Sequence, residues 1–135
     1  MSIDSIFAAT RFGLEFERLR LEAASHNIAI ANTPVAPGHS AQMLRAAAPS
    51  GAGFDAAIGV GTQPALVATD ADERQVHDPS DPAADGNGMV SYPRIDLVGE
   101  MSTLMQAGRA YEANVRAFNT LRSMTLHSLD IGNGT

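Results

Sequence analysis

The sequence predicts a mainly α fold: long N- and C-terminal helices packing as a helical hairpin or coiled coil, with a small, partly β or loop-rich central insert. Three observations predict it. Phe7, Leu14, Leu21 and Ile28 recur every seven residues near the start. Leu97, Met101, Leu104, Gly108, Tyr111, Val115 and Phe118 alternate by four and three near the end, the mark of a helix that seeks a partner helix. Between them Pro34, Pro37, Pro49, Pro64, Pro79 and Pro82, with glycines at 51, 53, 59 and 61, exclude long helix. The resulting division is residues 1–33, 34–92 and 93–135.

The first element is predicted over residues 3–31, about 43 Å long at ~1.5 Å per residue. Its second seam, Ile3, Thr10, Glu17, Ala24 and Ala31, carries little bulk, and Glu17 must turn outward or find a partner. Arg11 with Glu15 and Arg18 with Glu22 are i,i+4 pairs worth about 0.3 kcal/mol each. So thin a stripe cannot hold an isolated helix in water, and its stability has to come from packing. Asn32-Thr33-Pro34 ends it, because a residue before proline is pushed out of the α region and Asn tolerates a left-handed cap.

In the insert, residues 57–60, 65–69 and 89–92 are short β-capable runs bounded by turn residues. Residues 70–88, the most charged and least apolar part, are expected to form an exposed loop. Pro93 then precedes a helix capped by Asp96 and running to about residue 129, with Glu112 and Arg116 as an i,i+4 pair and Gly132 and Gly134 as the stop. After Phe118 the alternation slips: Leu121, Met124 and Leu129 stay apolar, but Arg122 and Thr125 fall where bulk is expected, a change of coiling and not an end. Met101, Met105 and Met124 suit a contact surface that adapts to unlike neighbours.

Composition narrows the function. The formal charge is −6, and residues 70–85 carry six carboxylates against Arg74, so no basic face for nucleic acid exists. All nine cations are Arg, whose planar fork suits carboxylate-rich interfaces. Without cysteine there is no disulfide, thiolate nucleophile or cysteine zinc site. No run approaches the ~20 apolar residues of a membrane span. Met1-Ser2-Ile3-Asp4 lacks a basic start, so a cleaved signal peptide is not expected, and action outside the cytoplasm needs another exit route.

Catalytic motifs are missing as well. His26, His39, His77 and His127 lack metal-ligand spacing and read as polar helix faces (His26, His127) or loop positions (His39, His77); no serine sits in G-x-S-x-G. Ala56 occupies the third slot of what would be G-x-G-x-x-G. The stretch from Asp81 to Gly88 has a faint calcium-loop look but lacks alternating carboxylates and a closing Glu. The expectation is therefore no catalytic residue, no metal ligand and no cofactor.

Three blocks carry a resemblance. Ala24-Ser25-His26-Asn27-Ile28-Ala29-Ile30-Ala31-Asn32-Thr33 resembles the A-x-N-(I/L)-A-N-A-N-T motif of flagellar rod and hook axial proteins. Arg109-Ala110-Tyr111-Glu112-Ala113-Asn114-Val115, then Phe118-Asn119-Thr120 and Leu129-Asp130-Ile131-Gly132, is similar to the ending shared by that group. The join, from His77-Asp78-Pro79 through Ala84-Asp85-Gly86-Asn87-Gly88-Met89-Val90 to Tyr92-Pro93 and Glu100-Met101, resembles the proximal rod members of the flagellar basal-body rod family.

The resemblance implies a non-enzymatic structural subunit of the basal-body rod, exported unprocessed through the flagellum's own type III channel and added in the periplasm. It implies terminal helices that pack together and against neighbouring subunits around the export channel, gaining order on assembly. The implied partners are other rod proteins and export-gate or basal-body components, in homo- and hetero-oligomers. The expected assembly face is Phe7, Leu14, Leu21, Ile28 and Asn32 with Met101, Leu104, Tyr111, Asn114, Val115 and Phe118. Two other readings stay open on the residues alone: a small helical binding module such as an export chaperone or adaptor, and a metal-dependent enzyme using Asp78, Asp81 and Asp85.

Overall fold

A computed structural model describes residues 3–48 and 63–132. In chain order its elements are helix α1 (Ile3–Ile30), strands β1 (Gln42–Ala47), β2 (Ala65–Asp70), β3 (Glu73–His77) and β4 (Met89–Pro93), and helix α2 (Leu97–Gly132). The strand expected at 57–60, the glycines at 51–61 and Gly134 lie outside the described residues.

α1 and α2 pack antiparallel. Phe7 meets Phe118 edge to face at 5.5 Å between ring centres, Gly13 lies beside Asn114, and Leu21 lies against Gly108, so residue numbers rise along one helix as they fall along the other. The two helices have 28 and 36 residues, about 42 and 54 Å. Since both begin or end near the insert, the last turns of α2 run on past the start of α1.

α1 stops short of Pro34, but not through the left-handed cap expected of Asn32: no described non-glycine residue has a positive φ, and the last turn closes by tightening instead. The Ala31 and Thr33 N–H groups donate to the Ile28 and Ile30 carbonyls, a tightening of the last turn just before Pro34. At the other helix the Asp96 carboxylate accepts the Val98 N–H at 3.1 Å, the expected N-cap. A Cβ on Gly99 would lie 2.6 Å from the Asp96 carboxylate, so glycine there leaves room for the cap.

The insert holds two separate antiparallel hairpins, β1–β2 and β3–β4. Ala47 faces Ala65 and Gln42 faces Asp70 in the first; His77 faces Met89 and Glu73 faces Pro93 in the second. Two strands depart from expectation. β1 was not anticipated, and β3 occupies residues expected to be loop, which also moves His77 from loop to strand. All five β3 residues are exposed, and pairing with the apolar β4 holds them extended. A polar strand on one partner gives no alternation to read.

The core is small-sided. Its buried apolar members among the described residues are Leu19, Ala23, Ala24, Ala31, Ala41, Val90 and Ala107, of which only Leu19 and Val90 exceed alanine in bulk. Leu19, Ala23 and Asn27 form an i, i+4, i+8 row outside both predicted seams, because α1 is covered on two sides, by α2 and by β1.

Candidate assembly interface

The anticipated face divides between the two sides of the hairpin. Phe7, Leu14, Leu21 and Ile28 are half-buried, as are Leu104, Asn114, Val115 and Phe118. Met101 is 51% exposed and Tyr111 is 37% exposed. The fully buried line of α2 runs through Glu100 and Ala107, one position before Met101 and Gly108 in the predicted stripe. Small residues decide this rotation: Ala107, Gly108 and Gly13 let the helices approach, and a Cβ on Gly13 would stand 3.2 Å from the Asn114 amide nitrogen.

Asn32 lies on the exposed side at the end of α1 and accepts a hydrogen bond from the Arg74 guanidinium at 3.3 Å. That guanidinium also lies over the Tyr92 ring, 4.8 Å from its centre. Val35 N–H donates to the Ser91 carbonyl at 2.8 Å. Together these contacts fasten the β3–β4 hairpin to the exit of α1.

The β1–β2 hairpin is fastened by a residue the sequence reading passed over. Asn27, completely buried, accepts the Leu44 N–H at 2.8 Å and donates to the Leu44 carbonyl at 3.0 Å. A side-chain amide thus satisfies both backbone groups on the outer edge of β1, as a neighbouring strand would. Its signal was an amide on the same helix face as Ala23, Ala24 and Ala31. A second tie joins β1 to α2: Arg45 reaches the buried Glu100 carboxylate at 3.2 Å. Beside it Phe16, Ala23, Leu44 and Thr103 leave a gap of about 180 Å³.

The polar side of α1 is laced by ion pairs. Arg18 sits between Glu15 at 2.6 Å and Glu22 at 3.3 Å, so Glu15 turns forward to Arg18 instead of back to Arg11. The Arg18 hydrogen bond holds the Glu15 carboxyl below its ordinary pKa and raises that of Arg18 in return. Glu17 is paired with Arg20 at 3.0 Å, which answers the question its seam position raised. The Glu112–Arg116 pair forms at 4.0 Å and is solvated, so it contributes little.

The acidic loop between β3 and β4 uses its carboxylates on its own backbone. Asp78 accepts the Ser80 N–H and hydroxyl, Asp81 accepts the Ala83 N–H, and Asp85 accepts the Asn87 and Met89 N–H groups. The Ser80 bonds lower the Asp78 pKa, and the Met89 and Asn87 bonds lower that of Asp85. Gly88 closes the turn at φ +75°, where a Cβ would also meet Pro79 at 3.0 Å.

The large apolar side chains that remain exposed lie largely on α2. Val98, Met101 and Met105 share one outer side near its start, and Met124, Leu126, Leu129 and Ile131 crowd its far end. Ile131 is 79% exposed. No described helix is long and apolar enough to cross a membrane.

Comparison with known proteins bears on this surface. Residues 87–130 match the family model described as the C-terminal part of flagellar basal body rod FlgEFG proteins. The chain is similar to the flagellar basal-body rod protein FlgC of Salmonella typhimurium, 35% identical over 98% of this chain and 99% of that protein. It is 33% identical to the FlgC protein of Escherichia coli O6:H1, again over 98% and 99%. The FlgC protein of Bacillus subtilis is 43% identical over 47% of this chain and 42% of its own.

Proposed function

Because the chain belongs to the FlgC family of flagellar basal-body rod proteins, structural subunits of the rod, we propose that its terminal helices assemble it with like and unlike subunits in the proximal rod. Neighbours complete a coiled-coil-like packing around the export channel. The intramolecular hairpin uses one side of each helix: Phe7, Leu14, Leu21 and Ile28 meet the half-buried line of Leu104, Asn114, Val115 and Phe118. Neighbouring subunits take the outward residues, including Asn32 and Met101, together with the exposed margin of Tyr111, whose ring stands beside Arg18 of α1.

The observation that carries this reading is the far end of α2. Four large apolar side chains stand exposed there: Met124, beside Ile6 and Phe7 at the start of α1, and Leu126, Leu129 and Ile131. Met124 with Ile131, and Leu126 with Leu129, form exposed apolar pairs on roughly opposite sides of the helix, so this end offers apolar contact to more than one neighbour. Export through the flagellum's own type III route and addition in the periplasm belong to the same reading. So does the lack of any catalytic role, with scaffold contacts in place of chemistry. Similarity to rod proteins along nearly the whole chain favours this over an export chaperone or adaptor.

The test is a strain carrying Leu129→Glu with Ile131→Glu. The variant is expected to be secreted and to keep the helix content of the parent, yet to leave rods unbuilt and cells non-motile. Normal motility with both glutamates in place would overturn the proposed contact.

A further inference from the structure

We propose that the outer edge of β2 is a pairing site for the same strand of a second copy of this chain, forming an antiparallel β2–β2 junction centred on Ala68. This goes beyond assembly through the helices and stands without it. The direction of the edge follows from Asn27. Since Asn27 takes both the N–H and the carbonyl of Leu44, Leu44 turns its backbone away from β2. Leu44 lies opposite Ala68, so the two form a non-hydrogen-bonded pair. Ala68 therefore points its own N–H and carbonyl away from β1, as do Leu66 and Asp70 two residues to either side. No described residue takes those groups.

The side chains leave this edge open. β2 reads Ala65-Leu66-Val67-Ala68-Thr69-Asp70, with one charge, no lysine and no proline within it. Edges are ordinarily guarded by such residues. The other exposed strand, β3, has Glu73, Arg74 and His77 as guards.

Charge and backbone chemistry select the occupant and its register. With two strands centred on Ala68, each Asp70 falls opposite a Leu66 and the two carboxylates lie at opposite ends of the junction. All three outward-facing residues of each copy then find partners. Sliding the strands one way brings in Pro64, which has no N–H to give. Sliding them the other way draws the two Asp70 carboxylates together, and parallel alignment sets them side by side. The Ala68-centred antiparallel register alone avoids both faults. Such a two-fold contact closes on itself and stops at two copies. One strand pair is far below the area of a stable dimer, so it forms at high local concentration.

The chain has no cysteine, so single replacements report the register directly. Hydrogen-bonded partners in an antiparallel pair have Cα atoms about 5.5 Å apart, within disulfide reach. In the purified full-length chain under mild oxidation, Ala68→Cys is expected to cross-link roughly tenfold faster than Leu66→Cys or Asp70→Cys alone, and a mixture of those two to form the mixed dimer. Ala68→Cys cross-linking no faster than either single variant would sink the proposal. Without mutation, amide exchange at Leu66, Ala68 and Asp70 is expected to slow as concentration rises; rates that do not change with concentration count equally against it.

Discussion

Asn27 shows how much one side chain can organise. It is an amide in a helix whose neighbours on the same face are alanines, and it replaces a missing strand at the edge of β1. Asn27→Ala strands the Leu44 N–H and carbonyl without partners, an effect of about 3 kcal/mol for two orphaned groups. A fall of that size in unfolding free energy is expected from urea denaturation, and a change under about 0.5 kcal/mol would show that water serves Leu44 as well. Asp78 and Asp85 make the second residue-scale case. Their folded pKa values lie below the ordinary aspartate value, so their support is complete above the range where unfolded aspartates titrate, about pH 4, and is lost as pH falls through the lowered folded values. The Ser80, Asn87 and Met89 amides should lose protection, measured against their intrinsic exchange rates, on acidification below that range, and Asp85→Ala should remove the acid dependence at Asn87 and Met89 while leaving that at Ser80.

At the scale of elements, the start of α2 rests on one carboxylate. Asp96→Ala leaves the Val98 N–H to solvent and should cost about 1 kcal/mol, read as a lower thermal midpoint with fraying of the first turn in amide exchange. Both helices and this cap were legible in the sequence because period, proline and capping chemistry all act locally. The strands at 65–69 and 89–92 were legible too, since each is an apolar run between turn residues. β1 and β3 were not, for a common reason: their conformation is imposed by partners distant in sequence. β1 is held by Asn27 and β2, and β3 by β4. The packing line of α2 was legible to within one residue, Glu100 and Ala107 in place of Met101 and Gly108. The stripe was read by bulk, whereas the hairpin is drawn together by small residues.

For the whole molecule, the size of the core sets how the subunit behaves alone. Two helices totalling 64 residues are held by an interior in which alanine predominates, with Phe7 on Phe118 as a large aromatic contact near the open end. A buried alanine contributes only a fraction of the roughly 1.5–3 kcal/mol of a buried leucine, while each ordered residue still costs about 1–2 kcal/mol of backbone entropy. Meanwhile Met124, Leu126, Leu129 and Ile131 remain largely uncovered, so these side chains gain little from folding until another surface arrives. Helix order should therefore rise with subunit concentration, beginning at the far end of α2 and the facing start of α1. The stretch near Asn27, fastened by the insert, should stay protected throughout. Amide exchange across a hundredfold dilution series separates the possibilities. Slowing confined to residues near Phe7 and Phe118 supports a subunit completed by its neighbours. Equal protection along both helices at every concentration would mean that the hairpin is self-sufficient and that the exposed apolar end plays no part in ordering it.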